Sequence, residues 1–287
     1  IRDRYRTDLF HDAKLCRAYY ERFHENLVVP TTYEQYLHAA EFFTRSCNPD
    51  SPTEYGTTMT CGSASVAASD FLPFYLSRID RFGSTPETLR LDCPEMQAAM
   101  RQYHALEKFS CKQNWWGDSI QKFAEGKTAM TVIYSNYAAE LINSGNSVVV
   151  GRVGAAILPG CKPLLGGGIV GISRYSQKAE ACKQFFHWYY SADVASLLVR
   201  LGGTSPIVDA YEDFQNYSIF PWMNTSKKSF GLGQRGVINQ TPERFSIPKY
   251  EFAVGTAVRS VVQDLMTPED ASRMAQALYD AADPVCR

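Results

Sequence analysis

The chain has 287 residues, a formal net charge of -1 and a pI near 6.6. This length is enough for one or two domains with a large core. The even charge balance, with no basic excess, argues against a nucleic-acid partner, and no apolar run reaches the roughly 18 residues that would span a bilayer.

The composition leaves two interpretations of the aromatic residues open. With 17 Tyr and 16 Phe, the simpler one is a large core. The alternative is a sugar or polyol site, because rings offer flat apolar faces to sugar C–H groups. The eight cysteines permit four disulfides, but their scattering is typical of individual core thiols. None has zinc-ligand spacing to another Cys or to a His, so we expect no metal site and no cofactor.

The first ninety residues contain two recognisable helices and a strand. Thr32 and Gln35 form a capping-box pair that predicts the start of a helix. Dense turn residues over 48–56 precede a short strand at Thr57–Thr60. A helix is predicted over 71–82, and residues 81–91 are expected to form a loop.

A further helix opens near Asp92, with Pro94 in its first turn. Its apolar stripe is typical of a core face and consists of Met96, Ala99, Met100, Tyr103 and Leu106. Trp115 and Trp116 then stand in a polar loop. Paired tryptophans in a loop are either a lid over a cleft or hydrophobic anchors, and both interpretations stay open.

Residues 118–137 predict a short helix, a turn, a strand and a polar-aromatic patch. Asp118 is a good N-cap, Gly126 is placed for a left-handed C-cap, and 128–133 is a β-branched apolar run. Open α/β sheets place ligands where strands end. The sequence therefore predicts a site at the residues that follow the strand, which are Tyr134, Ser135, Asn136 and Tyr137.

The second half of the chain alternates loops and helices. A strand is predicted within 151–159, helices near 177 and over 192–201, a loop-rich stretch over 209–240, and two helices that open at Ile247 and Thr267. Residues 166–171 formally fit G-x-G-x-x-G. A dinucleotide site is nevertheless not expected, because 169–173 is strand-like and no helix follows directly.

No catalytic constellation emerges from the sequence. H-E-x-x-H, Walker A and G-x-S-x-G motifs are all absent from it. Glu54, Asp70 and Asp118 could supply carboxylates, but nothing in the sequence specifies the spacing of a glycosidase pair.

Several short motifs, in their order along the chain, resemble family 1 extracellular solute-binding proteins of ABC importers, of the maltose-binding-protein type. The segment 123–130, Phe-Ala-Glu-Gly-Lys-Thr-Ala-Met, is similar to the family's phenylalanine, glycine-lysine and alanine-methionine signature. Leu158-Pro159-Gly160, the glycine-rich 166–171 and Ile247-Pro248 are similar to further family segments. The resemblance runs from Tyr5 to Tyr279.

The resemblance implies an α/β, periplasmic-binding-protein-like (type II) two-lobe fold with the first lobe incomplete. Residues 1–162 and 207–287 would form the C-terminal-type lobe, and 163–206 would be a remnant of the N-terminal-type lobe. Relatives carry a long segment before the part that matches Tyr5. An incomplete lobe would expose apolar surface and strand edges, so we expect dimerisation or partial disorder near 164–205.

The resemblance also nominates ligand-binding residues. It places Tyr5 at the cleft, although a core tyrosine is an equal alternative, and it implies that Tyr250 or Phe252 stacks on the sugar. It has the backbone of Gly166 and Gly167 pass close to the ligand. The complete predicted set is Tyr5, Tyr55, Trp115, Trp116, Tyr134, Asn136, Tyr137, Gly166, Gly167, Tyr250 and Phe252.

The function that the resemblance implies is capture of a sugar or oligosaccharide for an ABC transporter permease, without enzymatic activity. The alternatives are a ligand-sensing domain of a regulator or receptor with the same fold and, third, a carbohydrate-active enzyme. The implied location is extracytoplasmic, in the periplasm or lipid-anchored at the cell surface. Because the chain starts at Ile1, we expect a signal sequence to be absent or already removed.

Overall fold

The structure, a computed structural model, describes residues 2–79, 89–142, 145–168, 170–213, 220, 222–233 and 246–281. Its strands are β1 (Arg2–Arg6), β2 (Thr57–Thr60), β3 (Ser110–Gln113), β4 (Met130–Ile133) and β5 (Val153–Ala156). Its helices are α1 (Thr7–Phe10), α2 (Ala13–Phe23), α3 (Tyr33–Phe42), α4 (Ala64–Leu76), α5 (Pro94–Ala105), α6 (Trp116–Ala124), α7 (Ala179–Tyr189), α8 (Ala192–Arg200), α9 (Met223–Leu232), α10 (Ile247–Val262) and α11 (Pro268–Asp280). Short 3₁₀ helices span Glu107–Phe109, Ser135–Ile142, Pro159–Cys161 and Val208–Tyr211.

Two small sheets meet along β2 and β4. β1 lies between β4 and β5 and is antiparallel to both, whereas β2 and β3 are parallel. An isolated bridge pairs Tyr55 with Thr128, and the N–H of Met130 donates to the carbonyl of Gly56 at 2.9 Å. These links join the two sheets, and the mixed α/β class predicted from the sequence is confirmed.

The main core is built by α4, α5, α10 and α11 together with the first three helices and β2. The backbones of α4 and α10 are in close contact at Gly255. A Cβ added there would lie 1.7 Å from the carbonyl oxygen of Ala64, so only glycine fits. The predicted stripe of α5 is fully buried, which confirms its assignment to the core.

A second cluster packs around α8 and α9 and consists of Ala138, Ala195, Val199, Ala210, Tyr211, Phe220, Trp222 and Met223. It reaches the sheet at two points. Ala155 of β5 packs against it, and the buried guanidinium of Arg4 in β1 lies 5.7 Å from the ring centroid of Trp222. Helix α7, in contrast, buries none of its residues.

Several predicted helix ends are confirmed by their hydrogen bonds. Thr32 and Gln35 form the capping box, and the hydroxyl of Thr267 accepts from the N–H of Asp270 at 3.1 Å. Gly126 adopts a φ of 74° after α6, and the N–H of Lys127 donates back to Lys122. This last pattern is a Schellman ending, in which the left-handed residue is most easily glycine.

Other boundaries differ from the predictions. α4 begins at Ala64 rather than at residue 71, because Ser63 caps it by accepting from the N–H of Val66. It ends at Leu76, and residues 80–88 lie outside the described ranges. α6 starts at Trp116, so Asp118 lies in its first turn instead of capping it.

The second half of the chain differs from the sequence-based description at two places. The stretch 209–240, predicted to be loop-rich, contains the helix α9, and residues 170–173, predicted to be strand-like, form no strand. The seven described cysteines are free, as expected for individual thiols. Six of them are half-buried, of which Cys16, Cys47, Cys61 and Cys93 pack against the main core, and Cys161 is exposed, while Cys286 lies outside the described ranges.

Within the described ranges, no helix combines the length and the hydropathy needed to cross a bilayer. In the same part of the chain, no three His, Cys, Asp or Glu side chains are grouped so that they could hold a metal ion.

Candidate functional site

A cavity of about 530 Å³ opens where β4 ends, between the α4, α6 and α10 side of the molecule and the segments that carry Gly166, Thr204 and α9. It is lined by aromatic rings, hydroxyls, one amide and a run of glycines. The lining residues are Ser65, Val66, Ser69, Trp115, Trp116, Tyr134, Ser135, Asn136, Tyr137, Gly166, Gly167, Gly168, Thr204, Phe230 and Glu251.

Three of the rings form a continuous edge-to-face series. Trp115 and Trp116 have centroids 4.8 Å apart at 60°, and Trp116 and Tyr134 have centroids 4.8 Å apart at 83°. The start of α6 fixes the two tryptophans, because the carbonyl of Trp115 accepts from the N–H groups of Asp118 and Ser119 at 3.1 Å. Trp115 is 49% exposed and Trp116 only 8%, so the series runs from solvent into the protein.

The polar-aromatic patch, Tyr134 to Tyr137, lines the cavity at the point where a 3₁₀ helix follows β4. The N–H of Tyr137 donates to the carbonyl of Tyr134 at 3.2 Å, at the start of the 3₁₀ helix. A Cβ added at Gly117 would lie 3.4 Å from Trp115 and 3.9 Å from Tyr137, so these two rings flank that glycine. The patch thus adds phenol and amide groups beside the indole rings.

The glycine run forms the facing edge of the cavity. A Cβ added at Gly166 would lie 2.3 Å from the ring of Tyr134, so only glycine fits without displacing that ring. An added Cβ at Gly167 or Gly168 would meet no atom within 4 Å. The backbone is therefore packed against the ring of Tyr134 at Gly166, whereas Gly167 and Gly168 border open space.

Helix α4 supplies a small polar wall. Ser65 and Ser69 lie one helical turn apart on it and both line the cavity. The next turn contains Pro73, which has no N–H to donate to the carbonyl of Ser69. The carbonyl of Ser69 therefore lacks its usual helical hydrogen bond.

A buried carboxyl lies directly behind this wall. Asp70 is 5% exposed, and its Oδ2 accepts from the hydroxyl of Tyr103 at 2.7 Å and from the N–H of Thr60 at 3.2 Å. Its Oδ1 has no hydrogen-bond partner in the described part of the chain. Burial raises the pKa of Asp70 from 3.8 to about 7, against the opposing effect of the two hydrogen bonds.

Seven of the eleven predicted site residues line this cavity: Trp115, Trp116, Tyr134, Asn136, Tyr137, Gly166 and Gly167. The other four lie elsewhere. Tyr5 packs edge-on to Phe10 at 5.3 Å, and Tyr55 is half-buried at its bridge to Thr128. Tyr250 is 1% exposed within the main core, and Phe252 is 55% exposed outside the lining.

Sequence reasoning missed Ser65, Ser69, Thr204, Phe230 and Glu251, which also line the cavity. Phe230 lies on α9, a helix that the sequence did not predict. Ser65 and Ser69 carry a usable signal, since serines four residues apart share a helix face. That signal was lost because the helix was predicted to begin too late.

A second, shallower groove of about 610 Å³ lies between the start of α3, the end of α4 and α5. Its lining includes Thr32, Tyr33, Arg78 and Gln102. It has none of the ring series that distinguishes the first cavity.

Comparisons with solved structures identify the fold. A solute-binding protein of an ABC transporter from Agrobacterium radiobacter K84, in complex with ribitol, matches with a TM-score of 0.71 and 21% identity, over 96% of this chain and 67% of its own. Maltose-bound MalE3 of T. maritima matches with a TM-score of 0.75 and 20% identity, over 96% of this chain and 69% of its own. A solute-binding protein of an ABC transporter from Agrobacterium vitis S4, with bound D-mannitol, matches with a TM-score of 0.71 and 18% identity, over 97% of this chain and 69% of its own. At these identities the likeness shows the fold alone, which is the predicted periplasmic-binding-protein-like one.

The family itself follows from the sequence match. Residues 4–222 match the model of the family described as "Bacterial extracellular solute-binding protein", which is well over half of the chain. The chain therefore belongs to the bacterial extracellular solute-binding protein family.

Proposed function

We propose that the cavity at the end of β4 captures a sugar or polyol, which the protein delivers to the permease of an ABC importer. The observation that carries the proposal is the ring series from Trp115 through Trp116 to Tyr134, set beside hydroxyl and amide groups. The chain's family supports a binding role. The ribitol, D-mannitol and maltose complexes of proteins with this fold support the ligand class.

The chemistry of the lining suits such a ligand. Indole and phenol faces offer apolar contact to sugar C–H groups, and Asn136, Ser65 and Ser69 can exchange hydrogen bonds with hydroxyls. A volume of about 530 Å³ is within the range of small-ligand sites. Binding would then combine ring contact with polar groups that fix the orientation of the ligand.

Binding without catalysis is the better interpretation of the charged groups. Retaining and inverting glycosidases need two carboxyl groups on either side of the bond that they cleave. Of the carboxylates considered from the sequence, Glu54 and Asp118 do not line the cavity, and Asp70 lies behind its wall. Glu251 is the one carboxylate among the described lining residues.

A thermal-shift screen tests the proposed function. Ribitol, D-mannitol, maltose and maltotriose are added in turn, because a ligand that binds only the folded state raises its melting temperature. We expect at least one of them to raise the melting temperature in proportion to the logarithm of its concentration. No response to any of them at millimolar concentrations would overturn the proposal.

Tyr137→Ala tests the site. We expect it to weaken binding of the responding sugar by roughly 1–3 kcal/mol, on the scale of losing one aromatic stack. Tyr175→Ala is the matched control, because Tyr175 is 73% exposed and lies outside the lining. Equal calorimetric affinities for the two variants would contradict the assignment of Tyr137.

We also propose the lobe division given by the resemblance, with 1–162 and 207–287 in one lobe and 163–206 in the other. A second copy of the chain would associate through the exposed face of α7 and α8. The support is that Phe185, Trp188 and Leu197 are 50%, 58% and 52% exposed on neighbouring helices. An extracytoplasmic location follows the family, with a periplasmic or lipid-anchored form as the finer proposal.

Light scattering across a concentration series tests the association. We expect a dimer that dissociates on dilution, and a Phe185→Ser, Trp188→Ser double variant that stays monomeric. Tyr175→Ser controls for the loss of an exposed ring elsewhere. A wild-type chain that is monomeric at every concentration refutes the dimer and leaves the binding proposal intact.

A further inference from the structure

Strand β2 is buried along its whole length, and two of its threonines bond to elements that lead to the cavity. The hydroxyls of Thr58 and Thr131 of β4 are 2.7 Å apart, and those of Thr60 and Ser119 of α6 are 2.8 Å apart. All four side chains are buried. Since β4 leads into the polar-aromatic patch and α6 begins at the tryptophan pair, β2 lies behind two parts of the site.

The contact between Thr60 and Ser119 reaches the tryptophan pair within one helical turn. The N–H of Ser119 donates to the carbonyl of Trp115 at 3.1 Å, and its side chain bonds to β2. No side-chain hydrogen bond caps α6 at Trp115. Among the hydrogen bonds of the described residues, the one from Ser119 to Thr60 is therefore the side-chain bond that ties the first turn of α6 to the sheet.

The same residue of β2 is also tied to the serine wall of the cavity. The N–H of Thr60 donates to Oδ2 of Asp70 at 3.2 Å, and Asp70 directly follows Ser69 in α4. Thr60 thus bonds α4 through its backbone and α6 through its side chain. A continuous buried path therefore runs behind the cavity from Ser69 to Trp115.

We propose that Thr60 and Ser119 are positioning residues of the sugar site, and that their hydrogen bond sets the place of the tryptophan pair relative to the serines of α4. The inference rests on the proposed function, since it concerns the affinity of the same site. Neither Thr60 nor Ser119 lines the cavity. A ligand that contacts both rings and serines needs these groups at a fixed separation, so residues behind the wall control the affinity.

The physical reason is that neither hydroxyl can lose its partner without a cost. Both side chains are fully buried, so the loss of one leaves the other unsatisfied and out of reach of water. A shift of the first turn of α6 relieves that cost. The rings at the start of the helix then move with it, because the carbonyl of Trp115 is bonded to the N–H of Ser119.

The test measures affinity and ring geometry separately. Calorimetry with ribitol, D-mannitol, maltose and maltotriose gives the affinities of the wild type, Ser119→Ala, Thr60→Val and the double variant. Circular dichroism reports the ring geometry, because two indoles with centroids 4.8 Å apart at 60° couple their transitions into an exciton couplet. Trp115→Phe, which removes one member of the pair, identifies that couplet in the spectrum.

We expect each single variant to bind the responding sugar about fivefold more weakly, which is part of the loss of one aromatic contact. The couplet should be reduced in the same variants. The double variant should bind no more weakly than either single one, because the bond is already absent in each. Thr60→Ser retains the hydroxyl and should keep both the affinity and the couplet of the wild type.

Thr57→Val is the matched control, because it makes the same substitution at a buried threonine of the same strand. The hydroxyl of Thr57 pairs with that of Tyr36 of α3 at 2.5 Å, and neither residue lines the cavity. We expect Thr57→Val to lower the melting temperature as Thr60→Val does, with the affinity and couplet of the wild type. The control therefore separates a loss of stability from a shift of the rings.

The outcomes separate this inference from the proposed function. Wild-type affinity or an unchanged couplet in Ser119→Ala overturns the inference, and so do losses of affinity that add up in the double variant. A loss of affinity in Thr57→Val equal to that in Thr60→Val overturns it as well. If a single variant does not fold, the double variant, which leaves neither hydroxyl unpaired, gives the same comparison. A wild-type chain that binds none of the four probes overturns the proposed function itself.

Discussion

Replacing Asp70 by asparagine should change how the stability of the protein depends on pH. The carboxyl is buried in α4, accepts its two hydrogen bonds through one oxygen only, and has a pKa raised from 3.8 to about 7, mainly by burial. Asparagine keeps the shape of the side chain and an oxygen that can accept from Tyr103 and Thr60. The substitution removes the carboxyl group that gains and loses a proton.

The sign of the effect follows from linkage. Because the pKa is higher in the folded than in the unfolded chain, folding favours the protonated carboxyl. The stabilisation is fully present below about pH 4 and is lost as the pH rises to about 7. A displacement of the pKa from 3.8 to about 7 corresponds to roughly 4 kcal/mol of unfolding free energy across that window.

Urea unfolding at a series of pH values from acid to neutral measures this contribution. The quantity of interest is the unfolding free energy of Asp70→Asn minus that of the wild type, because the other titrating groups cancel in it. We expect this difference to grow by about 4 kcal/mol between pH 4 and pH 7. Asp50→Asn, at an exposed residue, should give a difference close to zero throughout.

A flat difference for Asp70→Asn would refute the reasoning, because it would mean that the carboxyl titrates alike in the folded and unfolded chain. A difference that shrinks with rising pH would mean that a cation near Asp70 stabilises its ionised form. Both results can be told apart from a general loss of stability, which shifts the whole curve without changing its slope.

Three further predictions concern packing and local stability. Gly255→Ala should destabilise the fold by about 2 kcal/mol in urea unfolding, because its Cβ would lie 1.7 Å from the carbonyl oxygen of Ala64 and must push α4 and α10 apart; an unchanged midpoint would contradict that contact. Gly166→Ala should weaken sugar binding by about fivefold in calorimetry, because it displaces the ring of Tyr134, whereas Gly171→Ala, outside the lining and with open space around its added Cβ, should bind like the wild type; equal affinities of the two variants would mean that the ring of Tyr134 does not contact the ligand. At a dilution where the chain is monomeric, backbone amides of α7 should exchange with deuterium much faster than those of α4 in mass spectrometry, because α7 buries no residue; equal protection at that dilution would contradict the exposure of α7 in the monomer.

The predicted residues that line the cavity fall in three short segments of the chain. Trp115 and Trp116, the patch from Tyr134 to Tyr137, and the glycines each lie at the end of a strand or helix or in a connection, and such a position is local information. The structure then needs only the packing of neighbouring elements to bring these segments to one cavity. Local patterns are enough to nominate such residues.

Tyr250 was assigned to the site because it is aromatic, although the apolar spacing of its helix indicates a buried position. The resemblance nominated the aromatics Tyr250 and Phe252, yet Tyr250 has the same helix face as Val254 and Val258, four and eight residues on, and all three are buried. A step of about 100° per residue takes Glu251 off that face and into the cavity lining. The apolar spacing of α10, available in the sequence, therefore predicts the burial of Tyr250 better than the chemistry of its ring does.

Tyr5 and Thr204 illustrate what the sequence could not supply. The two faces of β1 are both covered, since Arg4 lies under Trp222 and Tyr5 packs on Phe10, so alternation along the strand does not identify a solvent-facing side. Thr204 lies in an exposed turn, and only the three-dimensional packing of distant segments brings it to the cavity. Contacts of this kind depend on tertiary structure and have no local signal.

The two sides of the cavity differ in how firmly the rest of the protein holds them. Eleven residues of α4 are buried, and α10 packs against it at backbone contact, so the side with Ser65, Ser69 and Glu251 belongs to the main core. The opposite side consists of exposed glycines, the exposed Thr204 and a ring, Phe230, that is 41% exposed. Exposed glycines and a half-exposed ring lose conformational freedom when a ligand covers them, whereas the first side is already packed. Affinity should therefore respond strongly to changes that stiffen the glycine run and α9, while substitutions at the apolar core residues of α4 act mainly through the stability of the whole fold.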